Sequence, residues 1–118
     1  MKSALCRVLI TILFLAPFQV VASDWKCITR SFVLVEETGS QEQQPAEFLL
    51  SVSSERLSVG TFPKRLFDGY YPAELTANLD MFGERAFAKA FWQNNRDLIL
   101  VRFDTGRVWT AFATCDPI

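Results

Sequence analysis

The sequence predicts an all-β fold, a small antiparallel meander closing into a barrel or tight sandwich, with its ends tied by one disulfide. Three observations carry that prediction: short stretches of alternating apolar residues, turn-forming residues between them, and the pair Cys27 and Cys115 near the two ends of the chain body. An α+β fold with a helix near residues 46–58 is the alternative, because Pro45 can open a helix there.

The chain opens on a leader. Lys2 and Arg7 form a basic start, Val8 to Val21 is almost wholly apolar, and small residues follow, which outlines a signal peptide over residues 1–23. The cut falls before Asp24, or one residue earlier. Pro17 and Gln19 interrupt the apolar run, and a spanning helix needs about 20 apolar residues, so no transmembrane anchor is expected after cleavage. Residues 24–118 then form a single β-rich domain, secreted or periplasmic. Cys6 leaves with the leader, so Cys27 and Cys115 remain as an even pair for an oxidising compartment. Closing a loop of about 89 residues is worth roughly 4 to 5 kcal/mol in the chain-entropy model. That is a large share of the stability of so small a domain.

Trp25 to Val35 reads as the first strand, with Trp25, Cys27 and Thr29 on one side and Phe32-Val33-Leu34-Val35 buried on both sides. Glu36 to Pro45 is polar, broken by Gly39 and Pro45, and reads as a surface loop. Ala46 to Val59 reads as two strands with a turn near Ser53 to Glu55. Leu75, Ala77, Leu79 and Met81 alternate with polar residues and predict a half-buried strand, ended by a turn at Gly83. Ala86 to Trp92 is the next strand and Gln93-Asn94-Asn95-Arg96 its turn. Leu98 to Phe103 follows, with Ile99, Val101 and Phe103 on one face. Asp104-Thr105-Gly106 turns the chain into the last strand, Arg107 to Cys115, which sets Trp109, Ala111, Ala113 and Cys115 on one side.

Composition removes several function classes. The 12 basic residues fall to 10 with the leader, against 13 acidic ones, so the body carries about −3 and lacks the positive face of a nucleic-acid binder. There is no histidine, which excludes Ser-His and Cys-His nucleophile pairs and the commonest metal ligand. No Gly-rich phosphate loop or clustered oxygen-ligand loop is present, so no enzyme, cofactor or metal is expected.

The segment Phe62 to Pro72 concentrates Lys64, Arg65, Phe67, Tyr70 and Tyr71 between two prolines. Aromatics with a basic rim make protein-binding anchors. The competing reading closes the barrel end with Leu66, Phe67 and one tyrosine as core. Two further loops, Asp80 to Arg85 and Gln93 to Arg96, add Phe82, Asn94 and Asn95 as candidate contacts.

Trp25-Lys26-Cys27 followed by Ser31-Phe32-Val33-Leu34-Val35 resembles the aromatic-x-Cys opening of the periplasmic inhibitors of C-type lysozyme. Gly83 to Phe87, the pair Phe91-Trp92, Leu98 and Leu100, and the closing Cys115 follow the same pattern. The resemblance implies a small antiparallel barrel that binds a protein. The chain departs from it at Phe82, where the family has serine, and at Asn94-Asn95, where it has Lys-Gly; those family residues reach into the lysozyme cleft. The expected function is a non-enzymatic, inhibitor-like protein-binding module. The alternatives are a carrier holding a small apolar ligand among Trp92, Trp109 and phenylalanines, and an envelope accessory without a discrete site.

Overall fold

A computed structural model describes residues 23–76 and 80–118. The predicted leader, apart from Ser23, lies outside the described residues. The rest is all β, and the helix alternative at 46–58 is replaced by two strands. The strands are β1 (Ser23–Glu36), β2 (Gly39–Glu42), β3 (Glu47–Val52), β4 (Arg56–Gly60), β5 (Gly69–Leu75), β6 (Met81–Arg85), β7 (Ala88–Gln93), β8 (Asp97–Asp104) and β9 (Arg107–Pro117). They form one antiparallel sheet in which β9 returns to pair with β1, so β1 and β3 to β9 close an eight-stranded barrel. Closure leaves no free edge around the wall, and a barrel of this size encloses space for its own side chains or for one small ligand. Among the described residues, no helix is long and apolar enough to cross a membrane.

The closing seam is the longest ladder. It runs from Trp25 opposite Pro117 to Glu36 opposite Arg107, with Cys27 directly opposite Cys115. These two cysteines form the expected disulfide across a Cα–Cα distance of 4.0 Å, and both are fully buried. A disulfide is compatible with an extracytoplasmic location.

β1 departs from the two-sided burial expected at Phe32 to Val35. The register against β9 shifts between Thr29 and Ser31, so Arg30 is an extra residue that reverses the alternation. Cys27 and Thr29 face inward before the bulge, Phe32 and Leu34 after it, and Val35 faces out. Buried Thr29 is fully paired there: its backbone N–H donates to Ala46 and its Oγ1 accepts from the Ala46 N–H at 2.7 Å. The predicted loop at 36–45 is also partly strand, since β2 folds back onto the outer half of β1.

Two expectations fail between β5 and β7. Leu75 ends β5 and Met81 opens β6, and the two are antiparallel partners, so the chain reverses where one strand was expected. Residues 77–79 lie outside the described residues. Gly83 is no turn; it faces inward in the middle of β6, and the turn falls at Ala86-Phe87. Period two does not distinguish one strand from the two arms of a short hairpin when the apolar parity carries across the turn.

The interior divides into two ends. Near the chain termini, Trp25 packs edge-on against Trp92 at 5.1 Å. At the opposite mouth, residues 61–68 fold inward and Phe62 and Phe67 plug the barrel, their rings 4.8 Å apart and against Phe32. Between them the lining is small: Ala73, Gly83, Ala88, Ala90, Ala111 and Ala113 all face inward.

Candidate functional site

The predicted contact residues do not form one site. Lys64, Arg65 and Tyr70 are exposed at the plugged mouth, Phe82 lies on the side wall, and Asn94 and Asn95 turn the chain at the opposite end. Phe67 and Tyr71, also expected at a binding surface, are fully buried, which is the core reading of that segment. Asn94 and Asn95 have φ of 55° and 48°, and the Arg96 N–H donates to Gln93, which makes a type I′ turn. Asparagine tolerates the left-handed conformation, so these two residues are explained by chain reversal.

The plug is held from inside the barrel. The Tyr71 hydroxyl donates to the Phe67 carbonyl at 2.6 Å, the Arg102 guanidinium donates to the Leu66 carbonyl at 2.7 Å, and Arg85 donates to the Asp68 carbonyl. Asp68 in turn accepts from the Phe62 N–H. Gly69, at φ 139°, leaves the space that Arg85 fills. These anchors hold three non-glycine residues, Thr61, Lys64 and Arg65, at φ of 60°, 56° and 53°. Left-handed backbone at such residues costs roughly 1 kcal/mol or more each and persists only where surrounding contacts over-determine it.

Burial pushes the Tyr71 hydroxyl up from 10.0 to about 12, an effect that the neighbouring Arg85 partly offsets. The unfolded chain therefore loses this proton first. Stability from this group is complete below pH 10 and falls as pH rises towards 12, by roughly 2 to 3 kcal/mol. Urea unfolding of the protein and of Tyr71→Phe at pH 9 and pH 11.5 checks this, and the variant should lose the smaller amount.

A second feature was missed by the sequence reading. Phe82, Phe91, Ile99 and Phe112 are successive cross-strand partners on the outside of β6, β7, β8 and β9. Beside this row run Val101, Thr110 and Val33, and then Phe103, Val108 and Val35. Phe87 adds to the face from the tip of the β6–β7 turn. Phe87 is 74% exposed, Phe103 44% and Phe112 43%. At about 200 Å² per ring, these three side chains alone leave on the order of 300 Å² in water. Scattered apolar residues are normal on a protein surface, and a contiguous patch of this size matches the largest found on a typical monomer, which is often a functional one. Glu84, Lys89 and Thr110 interrupt it, the Lys89 ammonium lying 6.0 Å from the Phe103 ring centre. The outside of β3 to β5 is more mixed, with Leu49, Tyr70 and Pro72 set among Glu47, Ser51, Arg56, Ser58 and Glu74.

In the layer behind this row, β6, β7 and β9 point small residues inward and rings outward, while β8 keeps Leu98 and Leu100 inside. β7 and β9 show it most plainly: Ala90 and Ala111 point in while Phe91 and Phe112 point out. The outward rings do not fill the core. The barrel interior carries Leu50, Leu57, Phe67, Tyr71, Trp92, Leu98 and Leu100, with Trp92, Trp109 and phenylalanines facing inward as the carrier alternative expected.

Comparison with protein families, with characterised proteins and with solved structures finds no match. Fold and surface alone define the class, a small disulfide-closed β-barrel with one aromatic outer wall.

Proposed function

We propose that this protein is an extracytoplasmic, non-enzymatic binding module that engages a protein partner through the outer wall of β6 to β9 and the adjoining part of β1. The observation that supports this most is the contiguous row Phe82, Phe91, Ile99 and Phe112 on the outer face of four successive strands. Its exposed aromatic area is a substantial part of the roughly 800 Å² per partner that a stable interface covers, and aromatic anchors dominate such interfaces. The aromatic row lies on one side, which suits a face-on contact with a folded partner; a membrane-spanning barrel carries its apolar band all the way round, and here charged and polar side chains such as Glu47, Ser51, Arg56, Ser58 and Glu74 are set among the apolar ones on the other strands.

The double variant Phe103→Ser/Phe112→Ser tests the reading. Both rings lie outside the core, so its melting midpoint should move far less than the 3 to 5 kcal/mol equivalent of losing a core phenylalanine. Binding to the partner, recovered by crosslinking and then purified, should weaken by a hundredfold or more. C-type lysozyme is the first purified protein to test, given the resemblance of the β1 and β6 to β7 sequences to its inhibitors. Flotation of the protein with lipid vesicles, or self-association abolished by the double variant, would overturn the assignment to a foreign protein partner.

A further inference from the structure

A cleft of about 230 Å³ opens at the plugged mouth, between the chain leading into β3 and the plug itself. Phe32, Trp109 and Leu66 form its apolar walls, and Gln43, Gln44 and Lys64 line its rim. It lies away from the Phe82 to Phe112 row and does not rest on the function proposed for that wall. Ligand pockets for drug-sized molecules usually run from about 300 Å³ upward, so this cleft accepts only a small body.

Its charges favour one sign. Lys64 and Arg65 are exposed and make no ion pair among the described residues. Asp104, which accepts from Trp109 Nε1 at 3.1 Å on the cleft wall, is neutralised by Arg102 at 3.0 Å, while Asp68 accepts from the Phe62 N–H. The cleft is also pre-organised. The chain of contacts from Trp109 through Asp104 and Arg102 to the Leu66 carbonyl fixes one wall relative to the other. Lys64, on the rim, is held in a left-handed backbone conformation, as is Arg65 next to it in the chain. A rigid apolar slot with an unpaired cation on its rim is complementary to an anion with a short apolar body.

We propose that this cleft binds a small organic carboxylate, with its aliphatic or aromatic body between Phe32, Trp109 and Leu66 and its carboxylate at Lys64 on the rim. Octanoate is the probe, with octanol and octylamine as its neutral and cationic counterparts, followed by amide and indole NMR shifts in the oxidised protein. Octanoate should give saturable shifts at the Trp109 indole N–H, at Gln43 and Gln44, and at Lys64 to Leu66. Octanol should bind at least tenfold more weakly, and octylamine should give no saturable shift. Lys64→Gln/Arg65→Gln should weaken octanoate at least tenfold with the melting temperature unchanged. Lys64→Gly/Arg65→Gly removes the same charges while relieving the positive φ, and should weaken octanoate equally in a fold at least as stable. Equal binding of octylamine, unaltered octanoate binding by both variants, shifts centred on Phe103 and Phe112 in place of the mouth, or no saturable shift would each overturn the proposal.

Discussion

Replacing both Cys27 and Cys115 by alanine is expected to lower the stability of the barrel by roughly 4 kcal/mol. The sequence separation of 88 residues makes this a long covalent loop, and it joins the first strand to the last. That junction is the most non-local pairing in the molecule, and the unfolded chain loses most freedom by having it pre-formed. Small domains hold only about 5 to 15 kcal/mol in total. For a domain of about 100 residues, the loss corresponds to a fall in melting temperature on the order of 15 to 30 °C. Alanine is the right replacement, since serine would add two hydroxyls to a site where both cysteines are fully buried. The β1–β9 ladder continues well beyond the cysteines, up to Glu36 opposite Arg107, so far-ultraviolet circular dichroism of the folded fraction should keep its strand signature. Urea unfolding with matched slopes measures the effect. An unchanged midpoint would show that the ladder closes the barrel by itself and that the disulfide contributes no stability.

Much of this architecture is legible in the chain because β structure repeats every two residues and turns have their own chemistry. Trp109, Ala111, Ala113 and Cys115 share the inner face as their spacing predicts, and Gly106, at φ 75°, turns β8 into β9. The misses have physical causes. Arg30 has no sequence signature as a bulge, yet it changes which of Phe32 to Val35 are inside. Gly83 resembles a turn residue, but its glycine is required by space. The candidate contacts at Phe62 to Tyr71 follow aromatic and basic composition, which does not separate a plug packed into the barrel from a loop offered to solvent. The outer wall did leave a signal: on β8 and β9 both alternating sets are largely apolar, with Ile99, Val101 and Phe103 on one side and Leu98 and Leu100 on the other. A strand exposed to water on one face needs only one such set. The second set marks the apolar outer wall on which the proposed function rests, readable once closure of the barrel shows which set is inside.

The second large effect is expected at Gly83, and its sign distinguishes space from propensity. Glycine weakens a strand interior, and β-branched residues favour one, so Gly83→Val on propensity alone would stabilise the fold by up to about 1 kcal/mol. The geometry requires the opposite. A Cβ at position 83 would lie 2.8 Å from the Tyr71 Cβ, 3.3 Å from the Tyr71 carbonyl oxygen and 3.4 Å from the Ala73 Cβ. Ala73 is its direct partner on β5, so the two strands cannot separate locally without breaking their pairing. Tyr71 is equally constrained, with its hydroxyl bonded to the Phe67 carbonyl and Arg85 lying 5.6 Å from its ring centre. Overpacking of a fixed interior costs about 1 to 3 kcal/mol, which is the expected loss for Gly83→Ala. Gly83→Val adds two further carbons at the same point and should lose more than about 4 kcal/mol, a size reserved for disrupted cores. Because the strain is transmitted through Tyr71, hydrogen exchange in Gly83→Ala should accelerate at residues 62–68 before it does at the β1–β9 seam. A neutral or stabilised Gly83→Ala would mean that β5 and β6 can move apart, and the small-residue lining would then not be what drives the large side chains to the outer wall.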